Sequence, residues 1–145
     1  MSEIDGGARR RPLPAPLTDE REIETVVRAF YTRIRADEVL GPIFEHAIGD
    51  DWEPHLNKMF DFWSSVMLTS GRYKGQPMLA HMRLKTVRPE HFDRWLTLFR
   101  ATLGELCVEA TAAAFVVRAE RIADSLRMGM FFNPASADPA ATRRA

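Results

Sequence analysis

Four histidines (His46, His55, His81 and His91), together with Tyr31, Trp95 and the single Cys107, are among the side chains here that can move protons, donate hydrogen bonds, bind a metal or attack an electrophile. Their spacing rules out several chemistries. The histidines stand 9, 26 and 10 positions apart, with no His-Glu-x-x-His and no paired cysteines, so the converging ligands of a zinc site are not supplied. No Gly-x-Ser-x-Gly elbow or reactive setting for Cys107 provides a covalent nucleophile. Neither a Gly-x-Gly-x-x-Gly nor a phosphate-binding loop provides a nucleotide cradle. What is left is a set of polar-tipped rings placed among apolar residues. His81 lies midway between Met78 and Leu84, and an apolar stripe runs through it. His55 precedes Met59 and Trp63 at one-turn intervals, which puts its ring on the inward side of a helix. Tyr31 and Trp95 are flanked by apolar residues at helical spacing. When buried, each polar tip needs a partner. Singly, each also has an ordinary reading as a core ring satisfied by a carbonyl or reaching a groove. His46 and His91 fall at helix or loop boundaries, where solvent suffices, and no role is assigned to them.

These rings must be held by helices. Ile23, Val26, Val27, Phe30, Tyr31 and Ile34 recur at steps of three and four behind a Thr18 cap, which predicts a first amphipathic helix. After Asp37 the stretch from Val39 to Phe44 stays apolar, and its Gly41-Pro42 pair predicts a turn of the chain over the core. Asp50 or Asp51 can cap a second helix, with Pro54 in its first turn and Leu56, Met59, Phe60, Phe62, Trp63, Val66 and Met67 along it. A polar loop from Thr69 to Gln76 follows. Pro77 then opens a short apolar piece, Met78 to Leu84, with room for two helical turns at most. A longer helix starts at Pro89, with Phe92, Trp95, Leu96, Phe99, Leu103 and Leu106 facing inward. The last, over residues 109–130, carries Phe115, Ala119, Ile122, Ala123, Leu126 and Met130. No segment alternates as a strand would. The predicted class is all-α, with four substantial helices and one short one.

Composition bounds the partners. The chain has 145 residues, 46% of them hydrophobic, and 20 basic side chains against 20 acidic ones, the balance of one soluble globular domain. Zero net charge provides no field for neutralising phosphates, so neither nucleic-acid binding nor a polybasic membrane anchor is expected. The longest apolar stretch, Ala110 to Val117, is far short of the roughly 18 residues that cross a bilayer. The acidic opening Met-Ser-Glu-Ile-Asp is unlike a secretory signal, and one cysteine closes no intrachain disulfide, so a cytoplasmic location is expected. Residues 1–17, rich in Gly, Pro and Arg, and 132–145, with Pro134 and Pro139 among small residues and a terminal Arg143-Arg144, read as a flexible leader and tail around a domain at 18–131.

The blocks Phe30-Tyr31, Leu40-Gly41-Pro42-Ile43-Phe44, Phe62-Trp63, Gly71-Arg72-Tyr73-Lys74-Gly75-Gln76-Pro77, His81 and Phe92-Asp93-Arg94-Trp95-Leu96 closely resemble the group III truncated haemoglobins of bacteria, in order from about Glu22 to Gly129. The resemblance implies a shortened globin fold, a two-over-two helical sandwich around one haem. It makes His81 the proximal iron ligand, with its second ring nitrogen donating to a carbonyl. Because Cys-x-x-Cys-His is absent, the haem is expected to be of the b type, without thioether links. Phe44, Met59, Phe62 and Phe92 become candidates for the haem walls. Arg72, Tyr73, Lys74 and Arg83 are the candidates nearest in sequence for the propionates.

On the opposite face the resemblance places Tyr31, His55 and Trp95, all able to donate hydrogen bonds to a bound ligand. Two charge-assisted donors, at about 1.5 to 3 kcal/mol each, would slow oxygen release by roughly 100-fold or more, a poor property for a carrier. The leading expectation is therefore redox chemistry on nitric oxide or peroxide, in the manner of a nitric oxide dioxygenase or a peroxidase. Oxygen and carbon monoxide are further ligands, and a separate reductase would supply electrons to a monomeric protein. The alternatives are non-enzymatic storage or sensing of a diatomic ligand and, last, a cofactor-free helical interaction module.

Overall fold

The computed structural model describes residues 17–77 and 86–131. Residues 1–16, 78–85 and 132–145 lie outside them, and with them the expected leader and tail, His81 and Arg83. The described residues form five helices and no strand: α1 (Glu20–Ala36), α2 (Leu40–Ile48), α3 (Trp52–Leu68), α4 (Pro89–Leu106) and α5 (Glu109–Phe131).

All six apolar positions predicted for α1 are buried. Its cap is Asp19 rather than Thr18: extended backbone at Asp19 brings Oδ1 to 2.8 Å from the Glu22 N–H. Thr18, one residue too early, donates instead to the Glu22 carboxylate at 2.7 Å. The stretch predicted as a turn at Gly41-Pro42 is the helix α2. Pro42 falls in the first turn, where a missing N–H leaves no intrahelical bond unmade. Gly41 is required there, because a Cβ would stand 2.7 Å from the Arg35 carbonyl oxygen, where α2 crosses the end of α1. Asp37 organises that corner. Its Oδ2 accepts from the N–H groups of Val39 at 3.1 Å and Leu40 at 2.8 Å.

α3 starts after Asp51 with Pro54 in its first turn, and α4 starts at Pro89, both as the sequence predicts, but Asp51 makes no side-chain cap bond. His91 takes up a structural role, its Nδ1 accepting from the Arg88 N–H at 2.9 Å. Leu106, placed on the inward face by periodicity, is 42% exposed because the stripe ends with Leu103.

α1 packs against α2, α3 and α4, and α4 packs against α5, so the pair α1 and α3 meets the pair α4 and α5, in keeping with the two-over-two expectation. The centre is aromatic, with one ring from each long helix. Phe30 of α1 meets Phe99 of α4 at 4.8 Å, Phe99 stacks on Trp63 of α3 at 5.2 Å, and Trp63 meets Phe115 of α5 at 5.7 Å. Such pairs add about 0.5–1.5 kcal/mol each beyond area burial. The loop after α3 is tied to the start of α1. Buried Ser64 donates to Glu20 at 2.6 Å, and Arg72 bonds to Glu20 at 3.0 Å and to Asp61 at 3.2 Å. No helix among the described residues is long and apolar enough to cross a membrane.

Candidate functional site

Tyr31 follows Phe30 on α1. Phe30 enters the aromatic centre, so Tyr31, a helical step of about 100° further round, faces the end of the core bounded by α2 and α3. Three rings meet it there: His55 at 5.1 Å, Phe44 at 5.9 Å and Trp52 at 6.0 Å between centroids. The Tyr31 residue is 6% exposed, and burial pushes its phenol well above the usual range, so it is a neutral O–H donor throughout the physiological range of pH.

Trp95 enters from α4. Its half-buried ring meets Phe30 edge to face at 5.3 Å and stacks on Phe99 at 5.4 Å. Tyr31 touches the same Phe30 ring at 5.2 Å, so the two flank one residue. The fold thus sets Tyr31 against His55 and brings Tyr31 and Trp95 to the same Phe30 ring.

The wall candidates are spread more widely. Phe44 joins Tyr31, and Met59 is half-buried one turn beyond His55 on α3. Phe62, also half-buried, packs on Trp63 at 5.5 Å and on Tyr73 of the following loop at 5.2 Å. Phe92 is buried against the end of α5, meeting the Phe131 ring at 6.3 Å under the Arg127 guanidinium at 5.7 Å. His81 lies outside the described residues. Of the four rim candidates, Arg72 is engaged with Glu20 and Asp61, and Lys74 is exposed.

Two groups are absent from the sequence reading. Trp52, one turn before His55, covers the Tyr31–His55 pair, and its spacing of three from His55 is the signal that could have found it. The second is the Asp37–Arg94 ion pair. Arg94 reaches Asp37 through Nε at 2.7 Å and Nη2 at 2.9 Å, and these bonds, with those from Leu40 and Val39, hold the carboxyl below the usual range against the opposing effect of burial. Those residues are 57 positions apart, and no local pattern joins them.

The residues present suit a flat apolar cofactor. Phe44, Met59, Phe62 and Trp95 pack on the core yet keep exposed surface, whereas Ile23, Val26 and Ile34 of α1 have none. Beside them stands a phenol that burial keeps protonated, the kind of donor that a small polar ligand can engage.

Residues 17–127 match the family described as bacterial-like globin. The chain is 35% identical over 108 residues to the group 3 truncated hemoglobin ctb of Campylobacter jejuni, an alignment covering 72% of this chain and 85% of that protein. The crystal structure of the group III truncated hemoglobin from Campylobacter jejuni superposes with a TM-score of 0.76 at 31% identity, covering 83% of this chain and 97% of that one.

Proposed function

The chain belongs to the bacterial-like globins and, among them, to the group III truncated haemoglobins, and from that premise we propose that it holds oxygen for redox chemistry on nitric oxide or peroxide. Globins bind small diatomic ligands at a haem, and that much follows from the family. The finer reading is that His81 is the iron ligand and that the haem is of the b type, for want of Cys-x-x-Cys-His. When bound, the haem supplies the iron that takes up the ligand and exchanges electrons.

The rest falls to the protein's own side chains. Tyr31 donates its O–H toward the ligand, and burial keeps that proton in place. Trp95 offers an indole N–H as a second donor from α4, and His55 can carry a proton when a peroxide bond is cleaved. Phe44, Met59, Phe62 and Phe92 exclude water, which strengthens each polar contact. Converting oxygen and nitric oxide to nitrate consumes one electron per turnover, which a separate reductase delivers to a monomeric protein.

The observation that carries this reading is the contact of the buried Tyr31 with His55, two polar-tipped rings side by side among apolar ones. Stopped-flow mixing of the oxygenated protein with nitric oxide is the test. Ferric protein and nitrate should form within the mixing time or shortly after, and their slow formation would eliminate dioxygenation.

A further inference from the structure

We propose that Trp52 is a positioning residue for the Tyr31–His55 pair, held over it by a latch made of Arg35 and Glu45. The proposal rests on the reading that Tyr31 and His55 face the ligand. Burial gives the order of the layers. Arg35 and Glu45 have side chains 48% and 47% exposed, whereas Trp52 beneath them is 7% exposed and Tyr31 is 6% exposed. The Arg35 guanidinium lies 4.3 Å from the centre of the indole. Glu45 Oε1 accepts from Arg35 Nε and from Trp52 Nε1, each at 3.1 Å. One carboxylate oxygen therefore ties α1, α2 and α3 together over the pocket. The indole meets His55 edge to face at 5.8 Å and Tyr31 at 6.0 Å.

The helix itself does little to orient this ring. Trp52 is the first residue of α3, Asp51 makes no side-chain cap bond, and the link from α2 turns through Gly49 at φ 62°. The Arg28–Glu53 pair, at 3.1 and 3.2 Å, holds the α3 backbone to α1 and does not touch the indole. The direction of the ring is thus set by its packing on Tyr31 and His55 below and by Glu45 and Arg35 above. An exposed ion pair is weak and screened by salt, so this cover can open and close without unfolding anything. His55 cannot swing outward on this side while Trp52 stands against it.

The test uses the haem-loaded protein. Carbon monoxide association is measured after flash photolysis for the parent, Glu45→Ala and Trp52→Phe. Both variants should associate about 2- to 5-fold faster, and the parent should speed up with added salt while Glu45→Ala does not. A second readout is hydrogen exchange at the Trp52 indole N–H in the carbon monoxide form, its NMR signal identified by its loss in Trp52→Phe. Exchange should be faster in Glu45→Ala. Association that is insensitive to Glu45→Ala and to salt would overturn the latch, as would indole exchange unchanged by Glu45→Ala, and since Glu45 is a surface residue the association result decides even if Trp52→Phe fails to fold. Tyr31→Phe separates the two ideas. If oxygen release is unchanged in that variant, the pocket reading falls, while indole exchange still judges the latch.

Discussion

The rings of Tyr31 and His55 meet edge to face, 5.1 Å apart at 86°, although one sits on α1 and the other on α3. Each ring restricts the rotamers of the other, and Phe44 and Trp52 close round the same pair. The phenol is therefore delivered to a defined place by the packing of its neighbours' rings.

Tyr31→Phe keeps that packing and removes only the O–H. A charge-assisted hydrogen bond is worth about 1.5–3 kcal/mol, so oxygen release measured by stopped flow should quicken by roughly 10- to 150-fold. Release that is already fast in the parent and unchanged in the variant would favour plain storage or sensing of the ligand.

His81→Ala removes the proposed iron ligand. The parent should show an intense Soret absorption in its ferric, ferrous and carbon monoxide forms, and the purified variant should lose it. A sample as strongly coloured as the parent would refute the assignment.

Asp37 accepts two bonds from Arg94 and two backbone bonds at the start of α2, so Asp37→Ala should lower stability by about 1–3 kcal/mol in urea at pH 7. The folded state, through Arg94 first, holds this carboxyl below its unfolded value of about 4. Its contribution is thus complete above that pH and is lost as the pH falls through the folded value. The stability gap between parent and Asp37→Asn should accordingly narrow below about pH 4, and a gap independent of pH would contradict the argument.

Gly41→Ala places a methyl group against the Arg35 carbonyl, a backbone atom that cannot swing aside. A loss of about 1–3 kcal/mol, read from the urea midpoint with unchanged slope, is expected. No loss would mean that the α1–α2 crossing relaxes freely.

Cys107 is pushed up to about 11, by burial first and then by Glu22. At pH 8 only about 0.1% of it is thiolate, the reactive form. Its reaction with an aromatic disulfide reagent should be slow in the folded protein, prompt in urea, and faster as the pH rises toward 11. Prompt reaction in the native state at pH 8 would show an open thiol.

Much of the fold was legible in the sequence because one helix face against one core leaves a regular trace. The stripe from Ile23 to Ile34 marks α1, and Pro89 marks the start of α4. The same patterning misread Gly41-Pro42, since a proline is compatible with both a turn and the first turn of a helix. Only the packing of α2 on α1 distinguishes the two. His55 and Tyr31 could each be placed on an inward face by local spacing.

Helix type, inward faces and the family likeness are properties of near neighbours along the chain, and the order of residues is enough to determine them. Contacts between helices are not, because periodicity says which way a side chain points but not what stands opposite. The fold alone decided that Arg94 would close on Asp37, that Phe92 would turn toward Phe131, and that Trp52 would be pinned by Glu45 above Tyr31 and His55. Each of these depends on how helices distant in sequence cross, which is set by the joint packing of Phe30, Trp63, Phe99 and Phe115 rather than by any one segment.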